Sequence, residues 1–147
     1  MVFCGVGNNG GDGFIIAGLA EKAGLEARVV QVGDSDKIQG DALTARQFAQ
    51  EAGAVFDAFD AARFYPGDVV VDAVLGTGLT GSVRDDVRPV IDSINRCQAP
   101  VLAVDIPSGL CSDTGRVLGE AVCADVTVTF IGVKQGLLTG QQRIRVS

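Results

Sequence analysis

Apolar positions along this chain fall into short continuous runs that alternate with longer stretches of helical spacing. Residues 2–6 form an apolar run that predicts a short buried strand, followed by the loop Gly7-Asn8-Asn9-Gly10-Gly11-Asp12-Gly13. Phe14, Ile15, Ile16, Ala17, Leu19 and Ala20 then predict a helix through Glu21-Lys22-Ala23, stopped by Gly24. Residues 27–32 read as a β-branched strand ended by Gly33-Asp34. From Lys37 to Ala52, the spacing of Ala42, Leu43, Ala45, Phe48 and Ala49 predicts a helix with one apolar face, closed by Gly53. Residues 54–56 are a weak strand, and residues 69–75 a strong one announced by Pro66-Gly67. The turn Gly76-Thr77-Gly78-Leu79-Thr80-Gly81 follows. Residues 87–96 predict a helix with Val90, Ile91 and Ile94 inward, residues 100–104 a strand, and residues 125–131 a further strand.

Strands alternating with helices over short connections predict a doubly wound, mostly parallel α/β sheet, Rossmann-like in layout, with helices on both faces. No linker, repeat or low-complexity segment divides residues 1–147, so one domain is expected. Ligands of such sheets bind outside the carboxyl ends of the strands. Three polar, Gly-rich segments follow predicted strands, at residues 5–13, 72–82 and 105–109, and they should converge on one crevice.

The first segment contains G-x-G-x-x-G as Gly5-Val6-Gly7-Asn8-Asn9-Gly10 between strand and helix, a pattern that lets backbone N–H groups approach a phosphate at a helix N-terminus. Taken alone it also fits a turn that binds nothing. Asp12, placed by this reading at the helix start, would repel a pyrophosphate there, or would cap the helix. Asn8 and Asn9 add amide oxygens, which suits a polar small molecule or a cation. Asp72 interrupts a wholly apolar strand, and a buried carboxylate needs a cation, a donor cluster or an exposed strand end. The alternative is a carboxylate bonded to the backbone of a neighbouring loop. Asp105 follows the run Val101 to Val104, with Pro107 stiffening the turn and Ser108 adding a hydroxyl.

Composition narrows the chemistry. Hydrophobic residues make up 47% and charged residues 20%, the balance of a chain that folds compactly. The net charge is −6, from 12 basic and 18 acidic side chains with no basic stripe, which argues against a nucleic-acid partner. There is no His, so zinc sites built on imidazole and Ser-His or Cys-His nucleophile schemes are excluded, leaving Asp72 and Asp105 as the strongest acid–base candidates. Cys4, Cys97, Cys111 and Cys123 show no metal-like spacing and read as small buried hydrophobes in a reducing compartment. No apolar run reaches the roughly 18 residues of a membrane helix and no basic region leads into an apolar core, so neither a membrane partner nor secretion is expected, and the predicted location is cytoplasmic.

In order and spacing, Cys4-Gly5-Val6-Gly7-Asn8-Asn9-Gly10-Gly11-Asp12-Gly13, Asp72-Ala73-Val74-Leu75-Gly76-Thr77-Gly78 and Val104-Asp105-Ile106-Pro107-Ser108-Gly109-Leu110 resemble the signature segments of NAD(P)H-hydrate epimerases. The later run Ala124-Asp125-Val126-Thr127-Val128-Thr129-Phe130, with Lys134, Gly136 and Leu137, is similar to that family's closing strand and loop, so the resemblance extends from Val2 to Leu138. It implies interconversion of the R and S forms of hydrated NADH and NADPH, for a partner dehydratase specific for one epimer. It also implies that Asn8, Asn9, Gly10, Gly11, Asp12, Gly76, Thr77, Gly78, Leu79, Thr80, Gly81 and Ser82 hold the nucleotide. Asp105 would meet it near the reacting carbon, where we expect it to act as the acid–base group. Asn9, Asp72 and Ser108 would hold a potassium ion, an all-oxygen set suited to a hard cation.

Relative to the family pattern, this reading expects a domain shortened at both ends, cut from a form fused to a dehydratase domain, with homodimerisation implied by the resemblance only. Two other readings stay open. One is an NAD(P)-dependent oxidoreductase, favoured by Gly5-x-Gly7-x-x-Gly10 and by Asp34 after the second strand. The other is a non-catalytic module that binds nucleotide or a partner.

Overall fold

The computed structural model describes residues 1–79 and 81–130. Short apolar runs form six strands: β1 (Val2–Cys4), β2 (Arg28–Gln31), β3 (Val55–Asp57), β4 (Val70–Ala73), β5 (Val101–Val104) and β6 (Val126–Val128). All pair in parallel, in the order β3-β2-β1-β4-β5-β6. The chain thus builds outward from β1 on one side, then crosses to β4 and builds outward on the other. The switch falls between β1 and β4, where two successive connections leave in opposite directions and open a crevice.

Side chains alternate across the sheet and make two cores. Val2 and Cys4 of β1 and Val71 and Ala73 of β4 face helices α1 (Asn8–Lys22) and α2 (Gly40–Ala52), where Phe14, Ala17, Ala42, Ala45 and Ala49 complete one cluster. Phe3, Val30, Val70 and Val74 face the other way, onto Val90, Ile91 and Ile94 of α3 (Arg88–Arg96). Helices therefore cover both faces, as the periodicity predicts. Two positions differ from that prediction: Leu43 turns outward, and Phe48 is only half-buried, its ring lying over Gly18. The thiols differ too. Cys4 is buried and its pKa is pushed up by that burial, but Cys97 and Cys111 are half-buried and Cys123 is exposed, because the last three lie in surface connections. All four are free.

The largest departure from the sequence reading is the start of α1. The helix begins at Asn8, so Asn8 to Gly13 are helical rather than a loop. Glycine is a poor helix former, costing about 1 kcal/mol relative to Ala. Here the absent side chains are what allow the helix to lie against the sheet. A Cβ at Gly10 would stand 1.8 Å from the Gly5 carbonyl oxygen, and one at Gly13 would stand 2.6 Å from Ala73 Cβ and 2.7 Å from Cys4 Sγ. Tertiary contact overrides propensity. Gly7 is the N-cap, with no side-chain cap and no acid in the first turn, so Asp12 neither caps the helix nor stands at its start. Lys37 belongs to a short 3-10 turn (Ser35–Lys37) capped by Asp34, and α2 starts only at Gly40.

Among the described residues, no helix is long and apolar enough to cross a membrane. The expected strand over residues 125–131 is realised as β6, while Ile131, Lys134, Gly136 and Leu137 lie outside the described residues.

The packing role of these glycines predicts unequal costs. Gly10→Ala should lose about 3 kcal/mol, on the order of 10 °C in Tm. Gly7→Ala, with nothing within 4 Å of its new methyl group, should lose under about 1 kcal/mol. Thermal unfolding of the two variants checks the difference.

Candidate functional site

The connection after β5 is held by one buried carboxylate. Asp72 is fully buried in β4, and its oxygens accept from the Ser108 backbone N–H at 2.8 Å, the Ser108 hydroxyl at 2.5 Å and the Val74 N–H at 3.3 Å. Ser108 Oγ in turn accepts from the Leu75 N–H at 2.8 Å. Burial lifts the Asp72 pKa to about 6, against the opposing pull of the Ser108 and Val74 donors. The carboxylate thus does bond the backbone of a neighbouring loop, and it fastens the segment after β5 to the one after β4.

Asp105 heads the segment that Ser108 anchors. Its φ of +69° is the one positive value at a non-glycine among the described residues. Such a conformation costs roughly 1–2 kcal/mol and persists only where surroundings impose it. Here the Asp105 N–H donates to the Val128 carbonyl at 2.6 Å, and Oδ1 accepts from Thr129 Oγ1 and the Phe130 N–H, each at 3.2 Å. The end of β6 thus holds the carboxylate at the crevice.

Asn9 supplies the complementary feature. Its side chain is 9% exposed, yet among the described residues neither its amide oxygen nor its nitrogen has a hydrogen-bond partner. A buried amide left in that state costs several kcal/mol by transfer estimates of about 2–7 kcal/mol, so a ligand or water is its natural partner. Asn9 stands against Gly76, where an added Cβ would lie 3.2 Å from Asn9 Cβ. Asn9 and Ser108 therefore both meet the Leu75–Gly76 turn.

These segments enclose a cavity of about 650 Å³. Asn8, Asn9 and Asp12 line it from α1, and Gly76, Thr77, Gly78, Leu79 and Ser82 line it from the turn after β4. Asp105 lines it from the end of β5. The three segments expected to converge do so. Gly10 and Gly11 are instead packed against the Gly5 carbonyl and Ala42, Gly81 is not among the lining residues, and Thr80 lies outside the described residues. Asp72 and Ser108 sit behind the wall rather than in it. Arg84, Val32 and Val87 also line the cavity, and sequence reasoning missed all three. Arg84 lies in a polar stretch that carries no motif; only its position a few residues past a Gly-rich turn hinted at the crevice. Burial, then the negative charge of Asp105, raise the Asp12 pKa.

Among the described residues, a six-stranded parallel sheet with its polar crevice at the topological switch point defines a doubly wound α/β domain. The crystal structure of the yeast protein ynu0 shares this fold, with a TM-score of 0.82 at 19% identity, covering 99% of this chain and 63% of that one. The chain belongs to the YjeF-related protein N-terminus family, whose model matches residues 1–136. It is 42% identical over 143 residues to the bifunctional NAD(P)H-hydrate repair enzyme Nnr of Escherichia coli, covering 97% of this chain and 28% of that protein. It is 40% identical over 141 residues to the NAD(P)H-hydrate epimerase of Limosilactobacillus fermentum, covering 96% of this chain and 67% of that protein. The chain thus spans little more than a quarter of the length of the bifunctional relative.

Two outcomes follow from this geometry. Ser108→Ala removes a donor from Asp72 and an acceptor from Leu75, and should cost about 2–3 kcal/mol in urea unfolding. Asp105→Asn removes a negative charge that raises the Asp12 pKa, so Asp12 should titrate at lower pH in that variant, as followed by carboxyl NMR.

Proposed function

We propose that this domain interconverts the R and S epimers of hydrated NADH and NADPH, with Asp105 as the acid–base residue. The observation that carries this reading is the Asp105 carboxylate, held in a strained backbone conformation at a cavity that also contains the unpartnered buried amide of Asn9. The likeness to proteins named NAD(P)H-hydrate epimerase and bifunctional NAD(P)H-hydrate repair enzyme supports the substrate.

Hydration of a dihydronicotinamide leaves a hydroxyl on a ring carbon next to nitrogen. By loss and return of the hydroxyl, inverting that carbon takes a proton at the departing oxygen and removal of a proton from the water that returns on the other face; the alternative route opens the ring instead. One carboxyl group can perform both transfers, donating as the acid and accepting as the carboxylate it becomes, a contribution typically of about 10²–10⁴-fold. Asp105 is held at the cavity by the Thr129 hydroxyl and the Phe130 N–H, just past β6. Asn9 supplies both an amide donor and an amide acceptor to a ligand in the cavity. Asn8, Asp12, Gly76, Thr77, Gly78, Leu79 and Ser82 line the part of the cavity where the rest of the nucleotide would lie.

The oxygen donors Asn9, Asp72 and Ser108 suit a potassium ion. Among the described residues the Asn9 amide oxygen has no partner, and the Asp72 carboxylate retains acceptor capacity beyond its three bonds. When bound, the ion would supply fixed positive charge beside an anionic substrate. We place the protein in the cytoplasm as a homodimer, working with a dehydratase activity that clears one epimer.

A purified single epimer of hydrated NADH, followed by chromatography with and without potassium, tests the reading. Approach to an R/S mixture well above the spontaneous rate is expected. Asp105→Asn, a residue that tolerates the positive φ, should fold and lose at least about 100-fold in rate. Nucleotide binding without turnover by the unaltered chain would instead establish a binding module.

A further inference from the structure

Among the described residues that line the cavity, Arg84 is the one cationic side chain, while Asp12 and Asp105 are the anionic ones. The cavity is therefore polarised, and a dinucleotide entering it meets one end that attracts phosphate and another that repels it.

The main chain at Arg84 is fixed. Its carbonyl accepts from the N–H groups of Val87 at 3.1 Å and Arg88 at 3.2 Å, at the entry to α3. Val83 and Val87 beside it are buried, and the Val83 N–H donates to the Leu118 carbonyl at 2.9 Å. From this base the side chain leans over the turn after β2. A Cβ at Gly33 would stand 3.8 Å from Arg84 Nη2 and 3.1 Å from Val6 Cγ1. The guanidinium thus lies near Val6, the residue before the N-cap of α1. The first turn of α1 carries no acid and no side-chain cap, so its leading N–H groups are open to an anion. The ion pair between Arg84 Nε and Asp86, at 3.3 Å, is half-exposed on both sides and worth little, so it yields readily.

We propose that Arg84 binds a phosphate of the dinucleotide over the β1 and β2 ends, and so directs the nicotinamide end toward Asp105. This rests on the substrate proposed above. β2 and β5 are separated by β1 and β4, three inter-strand spacings or about 14 Å. A phosphate, a ribose and a six-membered ring fill such a span end to end. The planar fork of Arg matches phosphate oxygens in a bidentate way that Lys does not. That span fits the pyrophosphate, which is one ribose away from the nicotinamide and common to both substrates; the 2′-phosphate of the NADPH form is on the far ribose.

The test measures affinity and turnover separately in the full chain. Wild type, Arg84→Ala, Arg84→Lys and Asp86→Ala are titrated with NADH and NADPH by calorimetry, alongside epimerisation of both hydrated forms. Arg84→Ala should keep its Tm and weaken nucleotide binding by about tenfold or more, raising KM with little change in kcat. Arg84→Lys should recover only part of the loss, and Asp86→Ala should leave affinity unchanged or tighter. Weakening toward both nucleotides assigns Arg84 to the pyrophosphate; weakening confined to NADPH points to the 2′-phosphate on the far ribose and overturns the proposed orientation. Unchanged affinity for both overturns the proposal. Wild type that binds without epimerising overturns the proposed reaction alone, with the Arg84 variants still deciding this assignment by affinity. Wild type that binds neither nucleotide and epimerises neither hydrated form overturns both.

Discussion

Ser108 donates both its backbone N–H and its hydroxyl to the buried Asp72 carboxylate, and through the Leu75 N–H the same hydroxyl holds the turn after β4. That cluster lies between adjacent strands β4 and β5, behind the crevice wall. Everything at the crevice depends on it. Asn9 rests on the Leu75–Gly76 turn that Ser108 secures, and Asp105 heads the segment that Ser108 closes. Removing one partner of such a buried network costs more than its net contribution suggests, because the remaining polar groups stay buried without partners. Local geometry at three strand ends is thereby made one rigid unit.

Much of this was legible in the sequence, and the reasons for the gaps are physical. The apolar runs gave the strands, and α3 lies within a residue of its expected start because Val90, Ile91 and Ile94 mark a clear inward face. Asp72 was conspicuous as a charge inside an apolar strand, and the structure finds it bonded to the neighbouring loop. The start of α1 was not legible. Propensity argues against a helix through Asn8 to Gly13, and only the approach of Gly5, Ala73 and Cys4 reverses that preference. Arg84 was invisible for another reason: its reach toward Gly33 and Val6 exists only once α3 and the sheet are assembled.

The corrected place of Asp12 changes the electrostatics of the crevice. At the helix start it would have opposed any phosphate bound there. Located on the second turn of α1 and sensing Asp105, it adds instead to the acidic side, leaving the entry of the helix to Arg84. The separation of charges follows from where α1 begins, well before the first of its hydrophobic residues.

The glycines of α1 carry a consequence for descent. A protein that inherited this architecture but lost its ligand would still need Gly5, Gly10 and Gly13, since the helix cannot approach β1 and β4 otherwise. The most recognisable stretch of the chain is therefore a signature of assembly, and a silent descendant would carry it intact. Under the proposed reaction, activity would leave its trace elsewhere, in side chains the scaffold does not require: the Asn9 amide, without a partner among the described residues, the solvent-facing Arg84 and the contorted Asp105. Telling working relatives from retired ones would then mean reading those three positions rather than the Gly-rich run.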